Sequence, residues 1–168
     1  LETAGFADGV RAALRRAGVD PRRLVVEVTE TMLTVPRSPA IAALEALRAL
    51  GVRVALDDFG TGYSSMSHLQ SLPVDILKID RSFVSGEEAG NGAAALLEAI
   101  VTVGTRLDLD VVPEGIENGE QLARLRRLGC REGQGFLLSR PVPASAIEDL
   151  LGSALPLPAE APQPAASS

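Results

Sequence analysis

Segments typical of β-strands alternate with segments typical of helices along most of this 168-residue sequence. Runs rich in Val, Ile and Leu are each followed by apolar residues at helical spacing. Because strands that are joined through helices run parallel, this alternation predicts an α/β fold built on a parallel sheet. The predicted strands are residues 24–29, 52–57, 74–79, 109–113 and 133–138.

The helical segments have recognisable apolar stripes and start signals. In the helix that follows the third strand, the predicted core stripe consists of Leu96, Ile100, Val103 and Leu107. Asn118, followed three residues later by Gln121, is typical of a capping box at the start of the next helix. Residues 153–168 are rich in Pro, Ala and Ser, so we expect a disordered tail after a folded domain of residues 1–152.

The position of the polar residues helps to choose between an open doubly wound sheet and a β/α barrel. Most of them lie at the carboxyl ends of predicted strands, and in a barrel these ends meet on one face. We therefore expect a TIM-like β/α barrel. A complete barrel needs about 250 residues, so we expect its N-terminal strands to be missing and five strand–helix units to be present. The polar residues are Glu27, Asp57, Asp58, Lys78, Glu114 and Gln134.

Composition excludes several classes of function. The net charge of −6 and the lack of a basic patch argue against binding to duplex DNA or RNA. The single cysteine, Cys130, rules out an internal disulfide, fits a reducing cytoplasm, and is most simply a small buried residue. The presence of one histidine only, His68, argues against a histidine-based metal site. No apolar run is long enough to span a membrane, so any membrane tether would lie upstream of these residues.

Two adjacent carboxylates, Asp57 and Asp58, end the second predicted strand and precede a loop rich in glycine and serine. Their negative charges repel, so both stay ionised most easily beside a cation. The alternative is a turn in which Asp57 caps the loop and Asp58 is solvated. Because other carboxylates lie at neighbouring strand ends, we favour metal binding.

Each of the other candidates also has a simpler structural interpretation. Glu27 could pair with Arg23 at the rim, and Lys78 with Asp80 as an internal salt bridge rather than holding a water or countering phosphate. Glu114 precedes a glycine that permits close approach of a ligand, whereas Glu117 could favour a helix N-terminus. Gln134 could bind a nucleobase edge or a backbone group.

Together these side chains offer only oxygen ligands, which favour Mg²⁺ or Mn²⁺. Several carboxylates can hold two ions, and such a pair stabilises the attacking and leaving oxygens of a phosphoryl displacement. The residues therefore indicate metal-assisted hydrolysis of a phosphodiester.

Five segments resemble the EAL family of cyclic di-GMP-specific phosphodiesterases, in the family's order and spacing. They are VEVTE at 26–30, ALDDFGTGYSS at 55–65, LPVDILKIDRSFV at 72–84, PEGIEN at 113–118 and GQGFLLSRPVP at 133–143. The resemblance extends from about residue 5 to residue 151. It implies a barrel that hydrolyses cyclic di-GMP to linear pGpG, and a homodimer in the intact protein.

The resemblance also implies roles for individual residues. Glu27, Asp57, Asp58 and Glu114 are similar to the family's metal ligands, and Lys78 and Glu114 to its catalytic residues. Lys78 and Gln134 resemble residues that contact the substrate, while Asp80 and Glu117 would support the site. Glu30 resembles the anchor of the loop at residues 58–65, which the family uses in dimerisation. The dimerisation residues would be Gly60, Thr61, Gly62, Tyr63, Ser64 and Ser65.

The sequence departs from the family pattern in three features, all expected upstream of Leu1. These are the Glu-Ala-Leu signature with its ligand glutamate, a substrate-binding arginine and a ligand asparagine. Pro113 also replaces the usual alanine, which we expect to matter little. We therefore expect weak or no turnover from these 168 residues alone. The alternative functions are a catalytically inactive cyclic di-GMP receptor and a module for protein interaction only.

Overall fold

A computed structural model of the chain describes residues 5–33, 39–60, 69–85 and 90–152. Short 3₁₀ segments occupy Pro21–Arg23, Glu30–Leu33 and Ala144–Ala146. The tail predicted at residues 153–168 lies outside the described residues. The main elements are α1 (Phe6–Ala17), β1 (Val25–Thr29), α2 (Pro39–Ala49), β2 (Arg53–Phe59), β3 (Ile76–Ile79), α3 (Arg81–Ser85), α4 (Gly90–Arg106), β4 (Asp110–Pro113), α5 (Gly119–Arg127) and α6 (Ile147–Gly152).

The four strands form one sheet in the order β1-β2-β3-β4, and every neighbouring pair is parallel. The prediction of a parallel sheet is therefore confirmed. Val28 pairs with Leu56, Leu56 pairs with Leu77, and Leu77 pairs with Val111, so these four residues form a row across the sheet. Because all four strands run in the same direction, their carboxyl ends lie at one edge.

The start of α5 confirms the predicted capping box. The Asn118 side chain accepts a hydrogen bond from the backbone N–H of Gln121, and the Gln121 side chain accepts one from the N–H of Asn118. This reciprocal pairing satisfies N–H groups that have no partner within the helix. Among the described residues, no helix combines the length and apolar character needed to cross a bilayer.

The hydrophobic core lies between the helices and one face of the sheet. Leu56 and Leu77 on this face are fully buried. The helix α4 can approach the sheet closely because Gly104 has no side chain. A Cβ atom there would lie only 2.7 Å from Val111 Cγ2 and 3.1 Å from Leu77 Cδ2. The predicted stripe of α4 is partly wrong, because Leu96 is 42% exposed and Leu97, at 1%, takes the core position.

The fifth predicted strand, residues 133–138, is wrong. Its first residues do run beside the end of β4, since the N–H of Gln134 donates to Pro113 O and its carbonyl accepts from Ile116 N–H. The chain then turns, with Leu138 N–H donating to Gly135 O. Strand-like pairing is therefore limited to the two hydrogen bonds of Gln134, and the backbone of Gly135 then passes very close to Ile116.

Substitution of Gly135 by alanine should destabilise the protein by about 1–3 kcal/mol, as overpacking usually does. The new Cβ atom would lie 2.2 Å from both the backbone N and O of Ile116, and backbone atoms cannot rotate away as a side chain can. Urea unfolding measures the change. The matched control is Gly9→Ala in α1, where a new Cβ atom would meet no other part of the protein within 4 Å. Alanine should stabilise the helix there by about 0.5–1 kcal/mol. Equal effects of the two variants would contradict the close contact.

Cys130 follows α5 and is half-buried against the core. Burial raises the pKa of its thiol above the ordinary value, because the thiolate is poorly solvated there. Cys130 therefore packs against the core as predicted for a small apolar residue, but it is less buried than predicted.

Candidate functional site

Four predicted site residues lie on the same face of the sheet, opposite the face that meets α4. Glu27 and Asp57 lie in register with Ala55 and Thr29, respectively, and Lys78 pairs with Val112. Side chains alternate between the two faces of a strand, so Glu27, Asp57 and Lys78 project to the same side. Glu114 follows β4, and its N–H donates to Ile79 O, which brings it beside the end of β3.

The ammonium group of Lys78 lies at the centre of these residues. Lys78 Nζ is 3.0 Å from Glu27 Oε1, 2.9 Å from Asp57 Oδ1 and 2.7 Å from Glu114 Oε1. Lys78 is only 7% exposed. One buried cation therefore joins carboxylates that come from two neighbouring strands and from the end of a third.

Two opposing effects act on the pKa of Lys78. Burial is the largest single effect and by itself lowers the pKa, because it removes water from the charged form. The hydrogen bonds to Glu114, Asp57 and Glu27 together outweigh it and raise the pKa above the ordinary value. Lys78 is thus firmly protonated at neutral pH.

A β-bulge at the end of β2 brings Asp58 to the same site as Asp57. Leu56 pairs with Leu77 and Phe59 with Ile79, so β2 contains one residue more than β3 over this interval. Asp58 has a φ of +54°, in the left-handed region. In a regular strand two adjacent side chains would point to opposite faces, and the bulge redirects one of them.

The bulge predicts different effects for two substitutions at Asp58 that remove the same charge. Asp58→Asn should keep the left-handed backbone, which asparagine tolerates, whereas Asp58→Ala should be about 1 kcal/mol less stable than the asparagine variant. The free energies of unfolding in urea give this difference directly. Equal stability of the two variants would show that the left-handed conformation is not required in the folded protein.

The carboxylates are arranged suitably for a divalent ion. One oxygen from each of Asp57, Asp58 and Glu114 can be chosen so that all three lie within 4.8 Å of one another. Oxygens on opposite sides of a Mg²⁺ ion are about 4.2 Å apart, since each lies about 2.1 Å from it. A small side-chain adjustment would bring these oxygens to that spacing, so the residues fit a hard divalent cation.

Glu27 lies outside this compact group of three and reaches it through Lys78. Its side chain is 51% exposed, compared with 24% for Asp57 and 22% for Glu114. We refer to Glu27, Asp57, Asp58 and Glu114 together as the carboxylate cluster.

Asp80 caps a helix and does not pair with Lys78. It accepts a hydrogen bond from the N–H of Ser82 and so caps the start of α3, rather than forming the proposed internal salt bridge with Lys78. Burial alone would raise the pKa of Asp80, but hydrogen bonds from Ser82 and Arg81 lower it below the ordinary value.

Only glycine fits at position 115, because Arg81 lies very close to its backbone. Its φ is +69°, and a Cβ atom there would lie 2.4 Å from Arg81 Cβ. The close approach predicted at this glycine therefore involves α3. The next acidic residue, Glu117, is exposed at the start of α5, where its N–H donates to Gln121 Oε1.

The remaining predicted residues lie around the cluster. Gln134 is exposed, and its backbone pairing with Pro113 and Ile116 holds it beside Glu114. Glu30 is 7% exposed directly after β1. Gly60 has a φ of +98°, and a Cβ atom there would lie 2.7 Å from Phe83 Cε2. Other predicted loop residues lie outside the described part of the chain, namely Thr61, Gly62, Tyr63, Ser64 and Ser65, as does His68.

Sequence reasoning missed the contribution of α3 to the site. Arg81 and Phe83 pack against Gly115 and Gly60, the glycines that follow Glu114 and the two aspartates. The only sequence signal is the position of α3 directly after β3. Sequence reasoning also overlooked that Lys78 is the only lysine in the chain, which singles it out among the basic residues.

The family model of the EAL domain matches residues 1–141 of this chain. The chain belongs to the EAL domain family. MucR of Pseudomonas aeruginosa, named as a bifunctional diguanylate cyclase/cyclic di-GMP phosphodiesterase, is 46% identical over 150 residues, or 89% of this chain. The chain spans 22% of the length of MucR, so it corresponds to about a fifth of that protein.

Solved structures of other EAL proteins confirm the fold class, a TIM-like β/α barrel. The EAL domain of Mycobacterium smegmatis DcpA superimposes with a TM-score of 0.83 at 39% identity, covering 90% of this chain and 68% of that one. The manganese and cyclic di-GMP complex of Klebsiella pneumoniae BlrP1 gives a TM-score of 0.76 at 34% identity, covering 83% and 36%, respectively. The four parallel strands of the EAL domain described above are part of such a barrel.

Proposed function

We propose that the full-length protein uses this EAL domain to hydrolyse cyclic di-GMP to linear pGpG. The observation that carries the proposal is the convergence of carboxylates from separate strand ends around one buried lysine. The name of MucR as a cyclic di-GMP phosphodiesterase and the cyclic di-GMP complex of BlrP1 support the choice of substrate.

We propose that the carboxylate cluster binds two divalent ions, Mg²⁺ or Mn²⁺. Its ligands are all oxygens, which hard cations prefer. When bound, the ions would supply the positive charge that stabilises the attacking and leaving oxygens of the displacement. The need for such charge is strong, because the substrate is an anion and the chain carries a net charge of −6.

In the proposed reaction a water molecule adds to one phosphodiester of the cyclic substrate. A bond forms between the water oxygen and phosphorus, the bond to a ribose oxygen breaks, and that ribose oxygen takes up a proton. Lys78 would donate hydrogen bonds that position the water or the phosphate, and Glu114, whose Oε1 lies 2.7 Å from Lys78 Nζ in the structure, would help to hold the ions. Gln134, exposed beside Glu114, contacts the substrate.

Residues around the cluster would support the site and link it to assembly. We propose that Glu30, buried next to β1, anchors the loop at residues 58–65 and that this loop contributes to a homodimer. Asp80 would act indirectly, since its cap holds α3, and with it Arg81, against Gly115. Glu117 would add negative charge beside the site.

The test is to incubate the full-length protein with cyclic di-GMP and either Mg²⁺ or Mn²⁺, and to separate the products by chromatography. We expect pGpG to accumulate and EDTA to stop the reaction. Binding of cyclic di-GMP without any pGpG, with either metal, would contradict the enzymatic proposal and support the inactive receptor instead.

A further inference from the structure

We propose that the Lys78 ammonium holds the carboxylate cluster together in the metal-free domain, in the place of a metal ion, and that an incoming divalent ion displaces it. The inference deepens the proposed function, since it rests on metal binding by the same cluster. It concerns a different state of the protein, the one that exists before any ion is bound.

The chemistry of the ammonium group matches the site. An ammonium ion is a compact charge with three N–H donors, and Lys78 Nζ has three carboxylate partners within 3.0 Å. An arginine would present a flat fork that suits one carboxylate in a bidentate pair. The other strongly basic side chains of the chain are all arginines, so the one lysine lies where a point charge is needed.

The lysine and a metal ion would compete for the same residues. Asp57 and Glu114 are partners of Lys78 and also members of the compact group that fits an ion. Asp57 Oδ1 already accepts from Lys78 Nζ and from the N–H of Asp58, at 2.9 and 3.1 Å. A divalent ion close to these oxygens would repel the ammonium, because both carry positive charge.

The negative charge of the cluster explains why a cation is needed there before any metal ion binds. Four carboxylates lie close together, and Lys78 is the cation that pairs with three of them. Without it, their mutual repulsion would open the strand ends. Lys78 therefore keeps the ligands gathered, and the cost of this arrangement is weaker metal binding.

The decisive variant is Lys78→Met, which keeps a side chain of similar length and removes the charge. Mn²⁺ binding to the 168-residue chain, followed by calorimetry, should tighten by about tenfold or more because the competing cation is gone. In EDTA the variant should melt at a lower temperature than the wild type, and saturating Mn²⁺ should close this gap.

The matched control is Arg53→Met. Arg53 lies on the same face of β2 but at the opposite end of the sheet, where it pairs with Asp110. Its removal takes away one positive charge without touching the cluster, so Mn²⁺ affinity should change by no more than about twofold, since distant exposed charges are screened.

A second measurement follows the lysine directly. Because the chain contains one lysine, labelling with ¹⁵N-lysine gives a single side-chain ammonium signal. Titration with Mg²⁺, which is diamagnetic, should shift this signal as the ammonium leaves its carboxylate partners. If the signal is unchanged at saturating Mg²⁺, or if Lys78→Met binds Mn²⁺ no more tightly than the wild type, the ion does not displace the ammonium. Either result would overturn this inference but leave metal binding by the cluster intact. A wild-type chain that binds neither ion would overturn metal binding by these residues alone, whereas the proposed function is tested separately by pGpG formation in the full-length protein.

Discussion

Glu114→Gln in the full-length protein is expected to lower kcat/KM for cyclic di-GMP by about 1000-fold. The substitution keeps the size of the side chain but removes the charge that pairs with Lys78 Nζ at 2.7 Å and that would bind an ion. Ion-assisted charge stabilisation contributes several kcal/mol to such reactions, and about 4 kcal/mol corresponds to three powers of ten in rate. Initial rates of pGpG formation measure the loss.

The control for this prediction is Glu45→Gln, an exposed carboxylate on α2, which should leave kcat/KM unchanged. A circular dichroism spectrum and a melting curve of each variant separate loss of catalysis from loss of fold. If Glu114→Gln keeps more than about a tenth of the wild-type rate, the carboxylate contributes less than about 1.4 kcal/mol, and its proposed role is wrong.

Leu97→Ala is expected to destabilise the domain by about 3 kcal/mol, within the range measured for buried leucines elsewhere. Leu97 is 1% exposed and belongs to the core between α4 and the sheet. Truncation removes buried methyl groups and leaves a cavity that the surrounding strands can fill only in part. Urea unfolding gives the change in free energy.

The neighbouring residue provides a sharp comparison. Leu96→Ala, on the same helix and of the same chemistry, should cost less than about 1 kcal/mol because Leu96 is 42% exposed. The apolar spacing of the sequence favours the opposite order, with Leu96 in the core. A larger effect at Leu96 than at Leu97 would mean that α4 is rotated from its position in the structure.

Sequence patterns located the four strands well, including β3, whose four residues are all buried. The four confirmed strands are rich in branched side chains and are covered on one face by helices, so local pattern and burial agree. The pattern failed for residues 133–138, where the approach of Gly135 to Ile116 decides the backbone path. It also failed for α4, where the close approach of Gly104 to Val111 and Leu77 marks the contact face, a choice that depends on the shape of the sheet.

The sequence alone determined which residues supply charge to the site and that they lie at or near the ends of successive strands. Those properties are local, since a carboxylate at a strand end and a glycine after it can be read within a few residues. It also sufficed for the resemblance to the EAL family, which the match over residues 1–141 confirms.

Only the tertiary structure decided how the charges meet. The bulge that aligns Asp58 with Asp57 depends on the pairing of β2 with β3, and the three partners of Lys78 come from segments between 21 and 51 residues away along the chain. Distances of this kind are set by register and by the packing of helices on the sheet. No short stretch of sequence contains the physical interactions that fix them.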